Sequence, residues 1–256
     1  MSELHKTGAW LSGRPGHCRN LPQSQAVAGY GIGILCIPGV TALMPGDIQN
    51  ATSFDFPVLY HVLEDIEFEQ IACGSDEVTP ALIAGARQLI ANGARAVVGA
   101  CGSFGHYQKA VADAVNVPVY MSIIAQVPFL QQSLGAQQKL LAVFASGSAY
   151  TPLLREQCNI VDTDRLQVIS LWETQRFADM SKAEYQMDVD ALVDELVEHI
   201  ADSIDPAVGA IVLQCSNLPP FASAIQQHFG LPVFDMTNLI SWLQSAVVRR
   251  DFAGYL

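Results

Sequence analysis

The sequence predicts an α/β protein made of two successive halves, each with a parallel sheet, and three observations predict it. Short apolar runs alternate with segments whose apolar residues recur every three or four positions, the pattern of strands joined by crossover helices. Half of the residues are hydrophobic and 15% are charged, which is enough apolar material for a large core and too little charge for a disordered chain. The second half also repeats the first without a gap. ARAVVGACGSFGHYQKAVADAVNVPVY overlays GAIVLQCSNLPPFASAIQQHFGLPVF at an offset of 114, bringing Val98 onto Val212, Cys101 onto Cys215, Tyr107 onto Phe221 and Pro118 onto Pro232.

Taken in order, YGIGILCIPG from Tyr30 is a buried strand closed by Pro38 and Gly39. EFEQIACGSD, ARAVVGACGS and VPVYMSI are expected to be the next strands. TPALIAGARQLIANG is a helix, with Thr79 and Pro80 as cap and first turn and Gly93 as its stop. In the second half KLLAVFASGS is a strand, AYTPLLREQCN a helix, LQVISLWE a strand, residues 182–203 a long helix and VGAIVLQCSN a strand. LPVFDM is the last strand, and NLISWLQSAVVRR closes the chain as a helix. The acidic residues of DVDALVDELVEHIADSID fall at helical spacing and read as a solvated face. The glycines of GYGIGILC precede and occupy a strand, whereas a dinucleotide fingerprint follows a strand and opens a helix, so no nucleotide cofactor is expected.

Thirteen basic and 25 acidic residues give a net charge of −12, which excludes a phosphate-binding face and with it a nucleic-acid partner. The first twenty residues lack the apolar core of a secretory signal, and no run reaches about 18 unbroken apolar residues, so a cytoplasmic protein without a membrane partner is expected. Six dispersed cysteines (18, 36, 73, 101, 158 and 215) in a chain with a large core read as reduced thiols. Paired C-x₂-C spacing is absent, and no metal site is expected. His5, His17 and Cys18 fall in a poorly patterned arm.

Cys101 and Cys215 each close an equivalent strand. A free cysteine is often a small buried hydrophobe, but strand periodicity gives no reason for one at the carboxyl end of both strands, where open α/β sheets bind ligands. Two acid–base groups on opposite sides of a small ligand suit the removal of a proton from one face of a carbon and its return to the other. A thiol with an ordinary pKa near 8.5 allows one member to be thiolate while its partner stays thiol. The charge that develops on a substrate carboxylate needs nearby hydrogen-bond donors. Gly102 and Ser103 after the first cysteine supply them, as do Ser216 and Asn217 after the second. The segment ASGSAYT adds Ser146, Ser148, Tyr150 and Thr151 at a helix start. His106 lies one turn past Cys101, but its counterpart in the repeat is Pro220. Asp47 and Asn50 of PGDIQNA either line the cleft or form a turn, and Cys36 and Cys73 read as packing residues at strand ends.

GACGS and LQCSN at equivalent strand ends resemble the aspartate/glutamate racemase superfamily, which also holds hydantoin racemases, maleate isomerases and arylmalonate decarboxylases. PGDIQNATSFDFPVLY and LQCSNLPPFASAIQQHFGLPVFD are similar to a racemase-like branch of it. The resemblance runs over most of the chain from about residue 28. It implies two pseudo-symmetric three-layer α/β/α domains with the active site in the cleft between them. An amino-terminal arm would cover residues 1–27, the first domain 28–134 plus 235–256, and the second domain 135–234. It also implies no cofactor, a homodimer or higher homo-oligomer, and Cys101 and Cys215 as the two bases. Pro38, Gly39 and the residues after each cysteine would surround a small carboxylate substrate. Gly-Ser and Ser-Asn stand where glutamate racemases carry Asn-Thr and Thr-His, and the DSGxGG opening is missing. The expected activity is cofactor-independent racemisation or epimerisation of an amino acid or hydantoin-like acid. A maleate-type cis–trans isomerase, a lyase using one cysteine, and a non-catalytic small-acid binder are the alternatives. Arg155 or Arg176 is a candidate for recognising a second carboxylate.

Overall fold

In this computed structural model, residues 27–38, 41, 43–180 and 186–249 are described. Gly39, His5, His17 and Cys18 lie outside them. The first sheet holds β1 (Ile32–Cys36), β2 (Val58–Val62), β3 (Ala96–Gly99) and β4 (Val119–Tyr120), all parallel, in the order β2-β1-β3-β4. The second holds β5 (Lys139–Phe144), β6 (Leu166–Ser170), β7 (Val208–Leu213) and β8 (Val233–Phe234) in the matching order β6-β5-β7-β8. The repeat seen in the sequence recurs in the pairing register. Val97 and Val98 face Val119 and Tyr120 in the first sheet; Ile211 and Val212 face Val233 and Phe234 in the second. The strands β1, β3 and β7 are buried along their whole length, as parallel strands covered on both faces must be.

EFEQIACGSD, expected as a strand, is the helix α1 (Phe68–Ala72) ending at Cys73, and the strand that pairs with β1 is VLYHV at 58–62. The local chemistry explains the correction. Glu67 and Gln70 form a reciprocal capping box at the start of α1, while Val58–Val62 is β-branched and aromatic. Cys73 is accordingly an exposed helix cap and not a strand end. The helix α2 (Thr79–Ala91) buries Leu82, Gly85, Ala86 and Leu89, one face at 3.6-residue spacing. Val78, rather than Thr79, is its cap residue; Ser75 caps the short turn before it, and Gly93 at φ 100° ends it.

The remaining helices are α3 (Gln108–Ala114), α4 (Val127–Ser133), α5 (Pro152–Gln157), α6 (Gln175–Asp179), α7 (Val189–Ser203), α8 (Ala222–Phe229) and α9 (Met236–Val247). α7 begins later than expected, with Asp188 as its cap; it buries Leu192, Leu196 and Ile200 and turns Asp190, Asp194, Glu198 and Asp202 to solvent. Outer cores pack α1–α3 on the first sheet and α6–α8 on the second. A central core joins the inner faces of both sheets, running from Ile34 and Val98 through Ala142 and Val212. Two helices are exchanged across it. α4 follows the first sheet but packs on β5, and α9 follows the second but packs on β1 and β3. No helix among the described residues is long and apolar enough to cross a membrane.

Candidate active site

Each cysteine leaves its strand in the same way. Ala100 N–H donates to Leu35 and Gln214 N–H to Val143, which extends β3 and β7 by one hydrogen bond each. A tight turn follows at both places, closed by Phe104 N–H on Cys101 O at 2.9 Å and by Leu218 N–H on Cys215 O at 3.1 Å. The segments flanking the thiols touch. A Cβ on Gly102 would collide with the side-chain amide and carbonyl oxygen of Gln214, so only glycine lets the two strand ends approach this closely.

The two sulfurs sit among different polar groups. Cys101 is 9% exposed. Burial holds its thiol above the ordinary value, against the smaller pull of the Ser103 N–H and hydroxyl and the Phe104 N–H. Cys215 is half-buried, and its Sγ donates to Asn217 Oδ1 at 3.6 Å. Its thiol is pushed up to about 12, first by burial and then by the nearby charges of Cys101 and Asp47, against the pull of the Asn217 N–H. Gly102 follows Cys101 and Gln214 precedes Cys215, so their close approach sets the two cysteine-bearing strand ends side by side.

The loop after β1 crosses to the second half. Met44 packs into the outer core of the second sheet, and Gly46, at φ 101°, lies against Pro220. The next residue, Asp47, is buried. Its Oδ1 accepts from Gln49 N–H at 2.8 Å and its Oδ2 from Asn217 Nδ2 at 2.5 Å, while Asn217 Nδ2 also donates to Thr41 Oγ1 at 2.9 Å. Burial holds the Asp47 carboxyl above its ordinary range despite these donors. Asp47 therefore lines the cysteine site, whereas Asn50 makes a turn, its Oδ1 accepting from Thr52 N–H. Cys36, the last residue of β1, is buried; burial and then the Asp47 charge raise it to about 12, and both Cys36 and Asp47 help raise the Tyr60 phenol.

Of the other candidates, Ser103 and Asn217 touch the two sulfurs as described. Ser216 is half-buried beside them, and Pro38 is exposed at the end of β1. Ser146 and Ser148 bond to each other at 2.8 Å. Tyr150 packs on Phe144, with the Arg155 guanidinium 5.8 Å from its ring centre. The Thr151 hydroxyl caps α5 at Leu154 N–H and meets His106 Nε2 at 2.8 Å, which commits it to the junction between the halves. The pairing of Asp47 with Asn217 joins residues 170 positions apart, and nothing local in either segment signals it. Among the described residues no three His, Cys, Asp or Glu side chains converge as a metal-ligand set.

Comparison with known proteins places the chain in a family and a fold. The chain is 27% identical over 221 residues to dimethylsulfoniopropionate lyase 3 of Emiliania huxleyi, covering 82% of this chain and 57% of that protein. It is 25% identical over 259 residues to a dimethylsulfoniopropionate lyase of Durusdinium sp. clade D, covering 95% and 79%. Among solved structures it resembles allantoin racemase of Pseudomonas fluorescens, with a TM-score of 0.54, 14% identity and coverage of 88% and 99%. The glutamate racemase RacE1 of Bacillus anthracis gives a TM-score of 0.53 at 15% identity, with coverage of 87% and 84%. At these identities the structural likeness speaks for the two-domain α/β fold. Residues 66–243, which include both cysteines and both strand-end turns, match the family described as Asp/Glu/Hydantoin racemase; this chain belongs to that family.

Proposed function

We propose that this chain is a cofactor-independent enzyme that removes the α-proton of a small α-substituted carboxylate, with Cys101 and Cys215 as the acid–base pair and racemisation or epimerisation as the outcome. The observation that carries the reading is the placing of two thiols at equivalent strand ends whose flanking residues, Gly102 and Gln214, are in contact. One thiolate takes the proton from one face, and the opposite thiol delivers its own to the other. Ser103, Ser216 and the N–H groups at the start of the two turns are the donors for the carboxylate, with Pro38, Gly102 and the 146–150 segment around it. Free thiols at these positions suit a reducing compartment, the cytoplasm.

A second reading is favoured by the relatives named as dimethylsulfoniopropionate lyases. The first step is the same, but the carbanion then expels a β-substituent. For a sulfonio-propionate, the thiolate takes the α-proton, the C–S bond breaks, and acrylate and dimethyl sulfide leave. Proton NMR in D₂O against amino acids, hydantoins and dimethylsulfoniopropionate separates the two. Loss of an α-proton signal without new products supports racemisation, vinyl signals of acrylate support elimination, and neither signal with any substrate removes both. Cys101→Ala and Cys215→Ala are each expected to lower turnover by about a hundredfold or more.

A further inference from the structure

We infer that Asp47 is a positioning residue for Cys215: by holding the Asn217 amide it keeps the amide oxygen on that sulfur, making Cys215 the proton donor of the pair and Cys101 the base. This rests on the two-thiol reading above.

An asparagine amide can present either end to a sulfur, and the end decides what it favours. The oxygen accepts S–H and stabilises the thiol, whereas the NH₂ group would donate to a thiolate. Here both Nδ2 hydrogens are spoken for, one by Thr41 Oγ1 and one by Asp47 Oδ2. Turning the amide over would lose both bonds and set its oxygen against a carboxylate. Asp47 cannot easily yield, because it is buried, tied to Gln49 N–H and set in a loop seated on Pro220. Cys215 thus faces an acceptor and a carboxylate beside the one Asn217 N–H donor, while Cys101 faces three donors, the Ser103 N–H and hydroxyl and the Phe104 N–H. The pair is symmetric in backbone and asymmetric in its polar surroundings, so the proton rests on Cys215. In turnover the Cys101 thiolate becomes a thiol as it takes the substrate proton, and Cys215 becomes a thiolate as it gives its own.

The test needs no substrate. Iodoacetamide labelling of the whole protein across a pH series, read by mass spectrometry at the Cys101 and Cys215 peptides with exposed Cys73 as internal reference, gives a titration midpoint for each thiol. In the wild type Cys101 is expected to titrate below Cys215. Asp47→Ala should lower the Cys215 midpoint by about half a pH unit or more, a threefold gain in labelling at a fixed pH below it. Asp47→Asn, which keeps the side-chain volume, should move it the same way and serves if the alanine variant does not fold. A Cys215 midpoint that stays put in a folded variant, or a wild-type order with Cys215 below Cys101, overturns the assignment. If the midpoints move as expected while no carboxylate exchanges its proton, the proposed reaction fails and the positioning role stands.

Discussion

Both ring nitrogens of His106 are engaged. Nδ1 lies 2.8 Å from the Ser103 carbonyl and so carries the hydrogen, which leaves Nε2 to accept from the Thr151 hydroxyl. This neutral ring bridges the turn after Cys101 to the cap of α5. Burial lowers its pKa from 6.5, against the pull of the Ser103 and Ile71 carbonyls. With a depressed folded-state value the bridge contributes fully above pH 6.5, and its contribution is lost as pH falls toward the folded-state value, because the unfolded chain takes up the proton first. The melting temperature of the wild type should therefore fall more steeply than that of His106→Gln between about pH 7 and 5; equal slopes in a thermal-melt series would remove His106 as the cause. The sequence marks His106 by its position and denies it a symmetric partner at Pro220. Its bond to Thr151, 45 residues away, is visible only in the folded chain.

At the scale of elements, the strands that carry the cysteines were legible because they are fully buried, and full burial writes itself as an unbroken apolar run. The strand at 58–62 was not, since its first four residues are half-buried, Val62 is exposed, and Tyr60 and His61 break the pattern. The crossing loop was half legible. PGD announces a turn, but whether Asp47 faces solvent or the cleft depends on Asn217, which the fold brings to it. Gly46 is where that loop is most constrained: its φ of 101° disfavours any side chain, and a Cβ would stand 3.0 Å from the Pro220 backbone. Gly46→Ala is expected to cost about 1–3 kcal/mol in urea unfolding and to release the hold on Asn217. An unchanged midpoint would mean that the loop adjusts freely.

Across the whole molecule, the exchange of α4 and α9 ties the halves together, and we propose the division of the chain at 134/135 and 234/235 with these helices as crossed straps. On their outer faces Phe129 is 71% exposed and Trp242 53% exposed. A homodimer that covers these exposed aromatic residues is the proposed assembly. Light scattering should give twice the chain mass for the wild type and a monomer for Phe129→Glu with Trp242→Glu; an unchanged dimer would put the interface elsewhere. By itself the sequence determined the parallel α/β class, the twofold repeat and the two cysteines at matching strand ends, because burial periodicity and a gapless repeat are properties of neighbouring residues. Only the tertiary structure decided that Val58–Val62 is the strand beside β1, that Thr151 is spent on His106, and that Asp47 grips Asn217. The physical reason is that a short segment's conformation and a polar side chain's partner are fixed by what the rest of the chain packs against them, and those partners here lie tens to well over a hundred residues away.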